Sequence, residues 1–202
     1  MRGLGFFLLP AAMGVLLSLG GCSVPILTQS GTPISEIDGF YADGAADRDL
    51  KLLVHGNPFP MPQDGFDRVV ETDVQIQTLR PLTHPQLRPD SSAKPNYSLV
   101  YVFSPAPTLT GNDLCLGRSD QGPASANTFG AIELPGPAGE ETVRVIGAFC
   151  VSGLARTEIV GQVQATDAAD PRFLDLMRQT MFALFRPDFK QSGAGNNSIL
   201  VQ

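Results

Sequence analysis

Two histidines and three cysteines are the side chains in this sequence best suited to ligation or nucleophilic chemistry. His55 closes the run Leu50-Lys51-Leu52-Leu53-Val54-His55 and is followed by Gly56-Asn57-Pro58-Phe59-Pro60. A histidine at such a junction can act as a general base if an acid and a nucleophile converge on it. Asn57 adds an amide and Phe59 an aromatic surface, so His55, Asn57 and Phe59 form the candidate loop site. His84 stands before Pro85 in a polar stretch and reads as a loop residue. No His-Glu-x-x-His, Gly-x-Ser-x-Gly or Gly-x-x-x-x-Gly-Lys occurs, so zinc, serine-hydrolase and P-loop signatures are all missing. Ser152 before Gly153 reads as a hairpin bend. Gly111-Asn112-Asp113 and Asp38-Gly39 read as turns, because a calcium loop needs more oxygen ligands at alternating positions. Glu140-Glu141 reads as solvated. No catalytic residue, metal site or cofactor is assigned from these residues.

The cysteines divide into one and two. Met1-Arg2-Gly3 is a short basic start, and Leu4 to Leu19 follows without a charge. That is the pattern of an export leader, and the run is shorter than the roughly 20 residues of a spanning helix. It ends in Leu19-Gly20-Gly21-Cys22, which resembles the lipobox of bacterial lipoproteins: aliphatic, small, small, cysteine. The resemblance implies cleavage before Cys22, with diacylglycerol on its sulfur and a further acyl chain, such as palmitate, on the new amino group. Two or three chains together anchor a protein stably where one would not. Ser23 is not the aspartate that holds enterobacterial lipoproteins at the inner membrane. The resemblance therefore implies the outer membrane, facing the periplasm, with the lipid anchor as the contact to the bilayer. Cys115 and Cys150 then remain as an even pair in an oxidising compartment, and a disulfide between them is expected. A redox or metal role would need His55 or His84 beside them, and neither cysteine lies in Cys-x-x-Cys.

Bulk properties narrow the partners. A chain of 202 residues makes about one domain once a leader is set aside. The net charge of -6 gives no attraction to phosphate backbones, which argues against nucleic acid. With 17 prolines and 21 glycines, long irregular connections are expected.

The elements that would hold these groups follow from patterns along the chain. Residues 1–21 read as the signal peptide. Residues 22–47 read as the lipidated cysteine and a flexible tether, rich in Pro, Gly, Ser and Thr, with Ile34, Ile37, Phe40 and Tyr41 able to dock. A single domain spans 48–190, and 191–202 is a loose Gly/Asn/Ser-rich tail. Within the domain, 50–55 predicts a strand stopped by the Pro cluster. Asp64 is placed to cap a helix carrying Phe66, Val69, Val70, Val74 and Ile76, closed near Leu79. Leu82 to Lys94 reads as loop. Tyr97 to Phe103 is a strand with Tyr97, Leu99, Tyr101 and Phe103 on one face. Residues 104–139 form a long irregular insert. Thr142 to Val151 and Ala155 to Ala165 alternate as an antiparallel hairpin with one wet and one buried face. Asp170-Pro171 starts a last helix with Phe173, Leu174, Met177, Met181, Leu184 and Phe185 in one stripe, ended by Pro187.

Strands with one polar face need cover on the other, which two amphipathic helices supply. The expected fold is α+β: a two-layer sandwich, an antiparallel or mixed sheet of about four strands with two helices on one face. Gly56-Asn57-Pro58-Phe59 after the first strand, with Cys115 and Cys150 later, is similar to small proteobacterial envelope lipoproteins. That likeness implies the envelope and no particular activity. The sequence thus leads to a non-enzymatic binding or assembly component with an envelope protein as partner. The alternative is a periplasmic small-ligand binder or enzyme using the loops at 55–59 and 104–139.

Overall fold

The computed structural model describes residues 26–31, 34–75, 82–105, 108–117 and 141–185. Among them one mixed sheet holds six strands, with four helices, so the chain is α+β. In chain order the elements are β1 (Ile26–Gly31), α1 (Ile34–Gly44), β2 (Arg48–His55), α2 (Gln63–Asp73), β3 (Thr83–Gln86) and β4 (Tyr97–Phe103). Then come α3 (Gly111–Cys115), β5 (Glu141–Val151), β6 (Leu154–Ala165) and α4 (Pro171–Phe185). The sheet order is β1-β6-β5-β4-β2-β3. β2 runs parallel to both β4 and β3, and the other pairs are antiparallel.

Alternation sets the register. Leu99, Tyr101 and Phe103 of β4 share a buried face with Val145 and Phe149 of β5 and Ile159 of β6. A slip of one residue would move this whole set to the opposite face. Three helices cover it: Tyr41 from α1, Phe66 and Val70 from α2, and Phe173, Met177, Met181 and Leu184 from α4. The hairpin between β5 and β6 turns through Ser152 and Gly153, with φ of 53° and 80°. Two positive φ values in succession give a turn whose twist matches the strands it joins. α4 is capped as its sequence predicts: the Asp170 carboxylate accepts from the Arg172 N–H at 2.9 Å and the Thr166 N–H at 3.0 Å. The Arg172 guanidinium, 2.8 Å away, and these amides hold the Asp170 carboxyl far below its usual range.

The structure departs from the sequence expectation at four places. The segment expected as a tether joins the body from Ile26 onward. β1 pairs with β6 from Ile26↔Gln162 to Gly31↔Thr157, and α1 buries Ile37 and Tyr41. Phe40 lies under the Arg156 guanidinium, 4.4 Å from its ring centre. β3 occupies part of the expected loop at Leu82–Lys94. Its Pro85 has no N–H to give, which an edge strand tolerates. Asp64 does not cap α2. Pro62 holds the cap position without a side-chain bond, and Asp64 instead meets Arg68 one turn on, at 3.0 Å. Finally, the expected wet face of the hairpin is partly buried. Ile146, Ala148 and Cys150 form a second apolar cluster with Val100, Val102 and Leu114. The sheet is thus larger than expected, with three helices on its main face and the short α3 on the other.

α3 is fixed there by polar and covalent links. Thr110 and Asp113 make a reciprocal capping box, and the Gly111 N–H donates to Glu158 Oε2 at 2.5 Å. The Asn112 side chain accepts from the Ala155 N–H at 3.0 Å. Cys115 and Cys150 are joined as a disulfide, with Cα atoms 5.4 Å apart and a sequence separation of 35. The expected tail at 191–202, Ile76 and Leu79, and most of the 104–139 insert lie outside the described residues.

Closing a loop of that length stabilises a fold by about 4 kcal/mol in the chain-entropy account. The double variant Cys115→Ala/Cys150→Ala is expected to lose most of that in urea unfolding. An unchanged midpoint would mean that the bridge contributes no constraint.

Candidate functional site

The candidate site is a groove beside the second half of β2. β3 pairs with β2 only from Arg48↔Thr83 to Lys51↔Gln86. On its other side β2 stays paired with β4 through His55↔Val102. Among the described residues, Leu52 to His55 therefore have a strand neighbour on one side only. The reason is local. The next N–H after β3, that of Leu87, donates to Glu71 Oε1 at 2.8 Å instead of continuing the ladder. Pro89 follows two residues later.

The groove measures about 780 Å³ and is lined by Leu52, Leu53, Val54 and His55 along its floor. One wall is α2, through Asp64, Asp67, Arg68 and Glu71; Gln86, Leu87 and Arg88 close one end. The four α2 residues fall at i, i+3, i+4 and i+7, so they form one stripe on the helix. Most of their charge is engaged. Asp64 and Arg68 pair across one turn, both side chains at least 70% exposed, and such a pair adds little stability. Glu71 holds Leu87. Asp67 accepts from Gln63 Nε2 at 2.6 Å, and the same nitrogen donates to the Gly56 carbonyl at 3.1 Å. Partial burial raises the Asp67 carboxyl above its usual range, against the Gln63 bond and the charge of His55.

The three residues expected to form a loop site play different parts. His55 lines the groove, and its charge acts on Asp67. Asn57 does not face it as a ligand. Its Oδ1 accepts from the Phe59 N–H at 2.9 Å and its Nδ2 donates to the Met61 carbonyl at 2.6 Å, which builds the turn. Phe59 is buried in the main core, edge-on to Phe66 and Phe173 with ring centres 6.0 and 5.2 Å away. Gly56 permits the turn: its φ is +77°, and a Cβ there would lie 2.7 Å from the Phe103 carbonyl oxygen. His84 is exposed on β3, opposite Asp49, and does not line the groove. Cys22 lies outside the described residues. Sequence reasoning misses Asp67, Glu71 and Arg88. The polar stripe of α2 was the available signal, since its spacing is as regular as that of the apolar stripe behind it.

A fourth α2 carboxylate, Asp73, sits outside the groove near the positive charge of Arg178. Its Oδ2 is buried and has no hydrogen-bond partner. Burial pushes its pKa up to about 6, and Arg178 offsets only part of that.

No protein-family profile matches the chain, and no curated protein does. Two solved structures of the PelC dodecamer from Paraburkholderia phytofirmans are similar, one of them a point variant. They are 11% and 12% identical to this chain, each with a TM-score of 0.42 over 81% of this chain and 98% of theirs.

Two outcomes follow from the site's construction. Phe59→Ala is expected to cost about 3–4 kcal/mol of stability, as large aromatic deletions in cores do, and Asn57→Ala about 1–2. His55→Ala should change stability by less than about 0.5 kcal/mol. Denaturant midpoints for the three variants check this ranking, and a costly His55 with a neutral Phe59 would reverse it. For Asp73, the folded state holds a proton that the unfolded chain releases near pH 4. Stability therefore falls as pH rises from about 4 to 6 and stays reduced above. After allowance for partial solvent access, Asp73→Asn should add about 1 kcal/mol at pH 7 and flatten that fall. Equal or lower stability of the variant at pH 7 would contradict the assignment.

Proposed function

We propose that this chain is a lipid-anchored component of the bacterial cell envelope that works by binding rather than by catalysis. In this reading Cys22 carries diacylglycerol and the body sits on the periplasmic side, at the outer membrane. The observation that carries it is the uncharged run Leu4–Leu19 ending in Leu19-Gly20-Gly21-Cys22. Two further features support it. Cys115 and Cys150 are bridged, as cysteines are in compartments outside the cytoplasm. The groove beside β2 offers a strand edge and charged side chains, the means of holding a partner.

The second reading, a small-ligand binder or enzyme, has one observation in its favour: His55 stands with Asp67 in the same groove. Its other half, the 104–139 loop, lies mostly outside the described residues. A low-molecular-weight compound whose binding is lost in His55→Ala would favour this reading over a protein partner.

The address is tested directly. Intact mass of membrane-extracted protein is expected to give a chain starting at Cys22 plus two or three acyl chains. Cys22→Ala should leave the precursor uncleaved. A full-length, unmodified mass for the native protein, or unchanged processing of the variant, would overturn the anchor. Crosslinking in whole cells should then recover a defined envelope partner.

A further inference from the structure

The groove has a feature that selects among ligand classes. Its floor is a strand edge, four residues long, that β3 leaves uncovered. At about 3.3 Å per residue this edge is about 13 Å in length. Alternate residues of a strand point both N–H and C=O sideways, and along this stretch no described strand meets those on the outer side. Another extended backbone satisfies such a row along its length. A sugar or a compact metabolite does not repeat donors and acceptors at that spacing. The second selective element is the wall. On α2, Asp64, Asp67 and Glu71 line it with Arg68, which Asp64 already holds, while Arg88 and His55 line the ends of the same groove. Asp67 has no salt-bridge partner among the described residues, and it faces the space that an added strand would fill.

We propose that the open edge of β2 at Leu52–His55 takes up an extended peptide segment of a partner protein as an added strand, with a lysine or arginine of that segment meeting Asp67. This deepens the binding reading of the groove and rests on it. The ladder supplies affinity without regard to sequence, and the acidic wall supplies the choice, as in other cases of strand addition. The occupant is a basic segment rather than a second copy of this chain, because the chain carries a net charge of -6 and would bring like charge to an acidic wall. The wall also guards the edge, since uncharged open edges pair promiscuously.

The test uses the purified full chain and three synthetic probes. The first is a blocked seven-residue peptide of alternating valine and threonine with one central lysine. The second has glutamate in place of lysine. The third has the lysine sequence with alternate amides N-methylated. Amide hydrogen exchange at Leu52–His55 is followed with each. The lysine peptide should slow exchange there at least ten-fold, the glutamate peptide much less, and the N-methylated peptide not at all. Asp67→Asn should weaken the lysine peptide about five-fold, and Asp67→Lys should reverse the preference in favour of glutamate. No slowing at 52–55, equal slowing by the N-methylated probe, or an unchanged preference in both variants would overturn the proposal. So would protection already present without peptide: if deletion of 191–202 removes it, the chain's own tail is the occupant, and if dilution removes it, a second copy is. The address reading is judged separately by the mass at Cys22, so peptide binding can fail while the anchor stands, and the reverse.

Discussion

Phe173 holds the molecule together. Its ring, at the start of α4, lies 5.2 Å from Phe59, 5.9 Å from Phe66 and 6.0 Å from Phe103, centre to centre. Those three partners come from the turn after β2, from α2 and from the end of β4. One side chain therefore joins four separate parts of the chain at the point where parallel strands end. Aromatic pairs in tilted and edge-on geometry add attraction beyond the area they bury. The groove depends on this packing. α2 can stand as a wall beside the open half of β2 only because Phe66 is pinned from behind, and Phe59 pins the turn that Gln63 then ties to α2.

Much of this was legible from sequence, and the reasons are physical. β4 announced itself because Tyr97, Leu99, Tyr101 and Phe103 alternate without interruption between prolines. The β5–β6 hairpin and α4 were equally plain, one from period-two alternation around Ser152-Gly153, the other from Asp170-Pro171 and the stripe behind it. Elements whose stability comes from elsewhere were not legible. β1 is held through a backbone ladder to β6, and a ladder leaves little trace in composition. α1 has only a few apolar residues to bury, Ile37 and Tyr41 among them, and its Gly39 and Asp38 look like a turn. β3 is four residues long and contains Pro85, which argues against a strand anywhere except at an edge.

The candidate site was half legible for a related reason. Gly56-Asn57-Pro58-Phe59 drew attention because its residue types are distinctive, and they are distinctive because the turn is demanding to build. Asn57 spends both ends of its amide on the turn, and Phe59 goes into the core. His55 alone of the three lines the groove. The α2 residues that give the groove most of its charge, Asp64, Asp67, Arg68 and Glu71, are ordinary on any helix surface. What makes them a wall is where β3 stops, and no local pattern in the sequence reports that.

Annexation of the supposed tether by β1 changes how the body would stand over a bilayer. Only three residues lie between Cys22 and Ile26, so the four steps reach at most about 14 Å. A body acylated at Cys22 would thus be moored close by, with the β1 border of the sheet nearest the lipid. β2 and β3 lie at the far border, four and five strand spacings away, or about 19 and 24 Å. The mooring point and the rim that β3 leaves uncovered would then occupy opposite flanks of one sheet, which would keep that rim away from the headgroups.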